Sequence, residues 1–169
     1  MTGEQNVRAE GGKCTPRIVA GVHGTPASDA VLDWAAREAR LRHAPLHLVL
    51  VRDPAVSRRA AYARPADPAS CDADAAWLAG VAVLAARMIP HGRVTTELVD
   101  GLPARILTDR AASARLLVLG GAPAGFLGPV ARACLRQAPC PVVIVVPDSR
   151  RAAASSPPRP TAEPAASRT

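Results

Sequence analysis

The sequence predicts an α/β fold, a doubly wound parallel sheet with helices on both faces, from three observations. Short runs rich in β-branched and aliphatic residues (RIVAGV, LHLVLV, VTTELV, LLVL and VVIVV) alternate with helical stretches of about ten to twenty residues. That alternation marks βαβ units joined by right-handed crossovers. Prolines punctuate it, standing at the start of a helical stretch at Pro26, Pro103 and Pro129, or past its end at Pro45 and Pro90. Aromatic residues make up only 2 % of the chain. The core must therefore be built from Ala, Val, Leu and Ile, small enough for helices to lie close on a sheet.

Arg17 to Val22 has the composition of a buried strand. Thr25-Pro26 reads as an N-cap followed by proline at the first helical position, where its missing N–H costs nothing. A helix runs from there to about His43, and Pro45 stops any extension. Leu46 to Val51 is the second strand. Residues 52–69 form a polar, Pro-containing connection, well above the usual ~4–6 residues. Ser70 is the cap of a second helix, with Asp72 and Asp74 in its positive first turn. Trp77, Val81, Leu84 and Met88 make one apolar stripe facing a core, and Pro90 ends that helix. Val94 to Val99 is the third strand, Pro103 to about Ser113 the third helix, and Leu116 to Leu119 the fourth strand. After a Gly-rich turn, Pro129 to Ala138 is the fourth helix and Val142 to Val146 the fifth strand, closed by Pro147.

At 169 residues the chain has the length of one domain. The alternation occupies residues 16–147, while 1–15 and 148–169 read as disordered tails without periodic apolar pattern. The net charge of +7 points toward a polyanion only if the basic residues cluster. They do not: residues 17–147 hold 15 Arg against 10 Asp and Glu, and the arginines are scattered. With so few aromatic platforms for base stacking, nucleic acid is not an expected partner. The N-terminus lacks the apolar region of a signal peptide, and the run from Trp77 to Ala86 is about half of the ~20 residues that span a bilayer. The four cysteines form no CxxC pair and no zinc-like spacing with histidine. A cytoplasmic protein with reduced thiols and no membrane association is expected.

Three pieces of the chain, IVAGVHGTPASDAVLDWAAREARLRHAPLHLV at 18–49, VTTELVDGLPARIL at 94–107 and LLVLGG…GFLGPVARACLRQAPCPVVIVV at 116–146, resemble the universal stress protein family. They occur in family order and span nearly the whole patterned region. The resemblance implies a five-stranded parallel sheet in the order 3-2-1-4-5 and dimerisation through the last strand. For one branch of the family it also implies ATP binding at the carboxyl ends of strands one and four. Independent physics agrees on the place, since ligands of open α/β sheets sit where the strand order reverses. The crevice positions implied by the resemblance are Gly21, His23, Val51, Leu119, Gly120, Gly121, Gly128 and Val130.

Two departures from the family's pattern bear on that crevice. The ATP-binding branch carries a loop of the form Gly, two residues, Gly, nine residues, Gly, then Ser or Thr. Gly120 and Gly128 match its ends, but the loop is about five residues shorter, the middle glycine has no counterpart, and Pro129 replaces the hydroxyl residue. Phosphate cradles aim backbone N–H groups at the anion from a helix N-terminus. Pro123 and Pro129 remove two such donors. After strand one the family usually carries an acidic residue, and here stands His23, whose imidazole cannot accept a bidentate diol contact. Gly128-Pro129 then reads as an N-cap glycine with proline at the first helical position.

No other constellation carries chemistry. GxSxG, GxxxxGK[ST], HExxH and GxGxxG are all absent. His43 and His47 are separated by Pro45, so they share no helical face as a metal pair. His47 lies on the strand face of Val49 and Val51. His23 reads as a hydrogen-bonded structural histidine, Asp72 and Asp74 as capping residues, and Cys134 and Cys140 as small buried hydrophobes. A last strand as apolar as Val142–Val146 needs covering, and a homodimer across it would supply the cover. The expectation is a non-catalytic stress-response or regulatory module with ATP binding lost or weak. The alternative is an adenine-nucleotide sensor using the same crevice, with a nucleotide hydrolase a third reading.

Overall fold

Strand alternates with helix throughout the part of the chain that the computed structural model describes, residues 16–24, 26–53, 68–90, 92–122 and 126–147. The side chains of Pro26 and of residues 68–71 lie outside that description, as do Thr25 and the two expected tails. In order the elements are β1 (Arg17–Val22), α1 (Pro26–Leu41), β2 (Leu46–Arg52), α2 (Pro68–Met88), β3 (Val94–Asp100), α3 (Pro103–Ala111), β4 (Ala114–Gly120), α4 (Pro129–Gln137) and β5 (Val142–Val145). All strand pairings are parallel, and the sheet order is β3-β2-β1-β4-β5. This is the doubly wound sheet and the strand order expected.

Strand alternation sorts the core into two layers. Ile18, Ala20 and Val22 of β1 join Leu46, Leu48 and Leu50 of β2 beneath α1 and α2. Val19 joins Val49, Leu117 and Leu119 on the other face, beneath Leu107 and Ala111 of α3 and Cys134 of α4. The central strands are thus apolar on both faces, as parallel sheets require. Ala35, Ala36 and Ala39 of α1 are fully buried, so small side chains bring that helix close to the sheet. Each fully buried Leu, Ile or Val contributes roughly 1.5–3 kcal/mol of transfer free energy.

The element ends move where capping geometry overrides pattern. α1 stops at Leu41, two residues short of expectation, because His43 adopts φ 50. Its N–H bonds Arg40 O at 3.3 Å and the N–H of Ala44 bonds Ala39 O at 2.9 Å, the two bonds of a Schellman cap. α2 begins at Pro68, so Ser70 lies inside it and is not its cap. Asp72 and Asp74 are therefore not first-turn residues: Asp72 is exposed and Asp74 is buried at 2 % exposure. The buried face of the helix is Asp74, Leu78 and Ala85, continuing to Ile89, with Trp77, Val81 and Met88 flanking it. Leu84 is 42 % exposed, so the expected stripe is rotated by about one residue. α3 ends at Ala111, where Ala112 N–H turns back to Asp109 O, and β4 starts early at Ala114.

Candidate functional site

The carboxyl ends of β1 and β4 diverge at the point where strand order reverses, and a crevice of about 250 Å³ opens there. β1 contributes Gly21 and Val22, and His23 follows them at the rim. β4 contributes Leu119 and Gly120, and β2 contributes Val49 and Val51. Pro103 and Leu107 of α3 close one side, and Gly128 with Pro129, Val130 and Ala131 of α4 close the other. Seven of the eight positions expected at the crevice come together in this way. Gly121 does not: a Cβ there would lie 3.0 Å from Ile144 Cγ2, and its N–H bonds Val145 O at 2.8 Å. It faces β5. Pro103, Leu107, Val49 and Ala131 are lining residues that sequence reading missed; Leu107 follows Pro103 at i+4, and Val49 alternates with Val51.

The lining is apolar. Among the described residues His23 is its only ionisable side chain, and no Arg, Lys, Asp or Glu of theirs lines it. Three backbone donors around the mouth are engaged within the protein, while the first-turn N–H groups of Val130 and Ala131 in α4 have no intrahelical partner. The His23 N–H bonds Ser28 Oγ at 2.9 Å, the Gly121 N–H bonds Val145 O, and the Ala122 N–H bonds Phe126 O at 3.1 Å. Pro129 has no N–H, and the N-cap Gly128 (φ −65, ψ 168) carries no side-chain cap. Gly24 turns the chain between β1 and α1 at φ 72, where an L side chain is disfavoured.

Gly21 sets the floor. A Cβ there would lie 2.9 Å from Leu119 Cδ2 and 3.2 Å from Leu107 Cδ2, the ends of two side chains that line the crevice. Gly21→Ala should push both leucines into the opening and destabilise the fold by about 1 kcal/mol, because overpacking a filled core is itself costly. Urea midpoints of parent and variant measure this, and an unchanged midpoint contradicts the tight floor.

On the same sheet face, toward the amino ends of the strands, lies a polar cluster that the sequence did not reveal. His47 is 7 % exposed. Its Nδ1 is 2.8 Å from Thr95 Oγ1 and its Nε2 is 3.0 Å from Glu97 Oε2. Arg110 Nε donates to both oxygens of Glu97, at 3.0 and 2.8 Å, and Arg110 Nη2 adds a third contact. An ionised carboxylate only accepts, so Nε2 carries the ring proton, and in the neutral ring Nδ1 accepts from Thr95. The hydrogen bond from Arg110 holds the Glu97 carboxyl at about 2, below its ordinary 4.5; burial opposes this and His47 assists it. Glu97 in turn raises Arg110.

Cys134 is fully buried, and Cys140 is partly so. Burial pushes both thiols up, with Thr108 opposing at Cys134. Raised thiols are poor nucleophiles, which fits a packing role. Among the described residues no group of three His, Cys, Asp or Glu could hold a metal ion. No helix among them is long and apolar enough to cross a membrane.

Comparison with known proteins decides the family. The model of the universal stress protein family matches residues 15–146. The chain belongs to the universal stress protein family. Among its relatives, a universal stress protein of Mycolicibacterium smegmatis is 34 % identical over 145 residues, covering 80 % of this chain and 49 % of that protein. One from Mycobacterium tuberculosis is 32 % identical over 154 residues, covering 80 % and 51 %. The chain thus spans about half the length of the curated relatives it matches. Solved structures share the fold. A universal stress protein in complex with cAMP aligns at a TM-score of 0.60 and 20 % identity, over 80 % of this chain and 100 % of that one. An Archaeoglobus fulgidus universal stress protein in complex with dAMP aligns at 0.58 and 23 %, over 78 % and 98 %.

Proposed function

We propose that this universal stress protein-like domain is a non-catalytic stress-response or regulatory module of the cytoplasm, a homodimer through residues 142–146, whose crevice binds ATP weakly or not at all. The observation that carries the reading is the donor inventory at the crevice mouth. A triphosphate needs several free N–H groups or cations converging on it. Here the N–H groups of His23, Gly121 and Ala122 are engaged within the protein and Pro129 offers none, which leaves the first-turn N–H groups of Val130 and Ala131. Among the described residues no Arg or Lys lines the opening. A volume of about 250 Å³ also falls below the ~300–1,000 Å³ typical of small-molecule sites. Among the described residues no carboxylate lines the crevice, which speaks against a nucleotide hydrolase, since that needs a base or a metal ligand there.

The second reading, an adenine-nucleotide sensor, draws on the apolar walls of Val51, Leu119 and Val130, which could flank a base, and on the cAMP and dAMP complexes of the structural neighbours. Calorimetric titration with ATP and Mg²⁺ separates the two. No heat of binding should appear below about 1 mM, and micromolar affinity overturns the first reading. The double substitution His23→Asp and Pro129→Ser should not restore tight binding, because the loop stays short and the N–H groups of Gly121 and Ala122 stay engaged.

A further inference from the structure

We propose that the cleft between the carboxyl ends of α1 and α2 binds a small organic phosphate monoester. This cleft lies across the sheet from the crevice, at the amino ends of β2 and β3, where Leu46 N–H bonds Arg93 O. Its volume is about 400 Å³, within the usual range for small ligands and larger than the crevice. Among the described residues three of its lining side chains are basic, Arg40, His43 and Arg93, and none is acidic. The neighbouring arginines Arg37 and Arg42 are paired with Asp33 and Glu38. The side chains of Arg40, His43 and Arg93 have no hydrogen bond or ion pair among the described residues.

Helix carboxyl ends ordinarily repel anions through their exposed carbonyls. Here Glu38 O, Ala39 O, Arg40 O, Ala85 O and Ile89 O accept capping bonds from Arg42, Ala44, His43, Ile89 and Gly92. Two guanidinium groups and an imidazole remain. Guanidinium is the side chain best matched to phosphate, which it meets with two parallel N–H bonds. Ala44 and Ile89, buried at 2 % and 4 % exposure, provide an apolar wall for the organic part of the ligand.

His43 supplies the independent observation. It is the only non-glycine residue with positive φ among the described residues, and it occupies the cap position where glycine is the relaxed choice. Local strain retained at the lip of a basic cleft points to a role for the side chain.

The test is a ¹H–¹⁵N NMR titration of the full chain with phenyl phosphate and with inorganic phosphate, at constant ionic strength in chloride buffer. Phenyl phosphate should move the amides of His43, Ala44, Gly92 and Arg93 saturably, with a dissociation constant below about 1 mM and tighter than inorganic phosphate. Arg40→Gln with Arg93→Gln should weaken it by at least about tenfold. His43→Gly relaxes the cap, so it should raise Tm by a few degrees while lowering affinity several-fold, which no unfolding artefact mimics. Non-saturating shifts, shifts spread over the other surface arginines, or variants that bind as the parent does would overturn the proposal.

Discussion

An Ile144→Asp variant should elute from a size-exclusion column as a monomer, or lose solubility, where the parent elutes as a dimer. β5 is an edge strand paired only with β4, and its four residues are all half-buried. Pro141 O and Val145 O accept from Leu117 of β4 and from Gly121 just past its end. In a parallel ladder alternate residues face alternate neighbours, so the N–H and C=O of Ile144 point to the open edge. An apolar edge, even one as short as four residues, can recruit a partner strand unless it is covered. An uncompensated carboxylate buried in such a junction costs several kcal/mol, enough to weaken a dimer by at least about a hundredfold. The side chain of Ile144 also packs on the core layer beneath α3 and α4, so the aspartate harms the monomer as well. Ile144→Pro removes the outward N–H and leaves the ladder to β4 intact, a change that edge strands tolerate. It should give a folded monomer. A parent protein that elutes as a monomer removes the edge-strand dimer altogether.

The alternation of strand and helix is legible from sequence because β-branched runs and flanking prolines each constrain one short segment. Where several segments meet, legibility fails. α2 is so rich in alanine that its pattern suits either of two faces, and packing buries Ala85 and leaves Leu84 out. The end of α1 rests on a histidine in a conformation usually reserved for glycine. At the crevice the glycines and family positions locate the backbone. Gly121, however, turns to β5, and the walls come from Leu107 and Val49, which reach the opening only through tertiary packing. The His47 cluster is the clearest case. It joins residues about fifty positions apart through the register that sets His47 opposite Thr95, and no local pattern encodes a register.

That cluster supports the second large effect. Glu97→Gln should destabilise the protein at neutral pH by about 1–2 kcal/mol and should remove a loss of stability that the parent shows on acidification. The carboxyl sits near 2 in the folded protein against 4.5 unperturbed. A depressed folded value means stability fully present above the unfolded value and lost as pH falls through the folded one. The window is therefore from about pH 4.5 down to about pH 2. At 1.36 kcal/mol per unit the ceiling is about 3 kcal/mol. Water screens the pair, since Arg110 is 35 % exposed and Glu97 25 %, which brings the figure to the lower range. Urea midpoints of parent and variant, measured at intervals from pH 6 to pH 2, read the difference directly. The two curves should converge at the acid end, because a protonated Glu97 and a glutamine leave Arg110 equally without an anionic partner. Parallel curves across the whole range would mean that Arg110 and His47 draw nothing from the charge of Glu97.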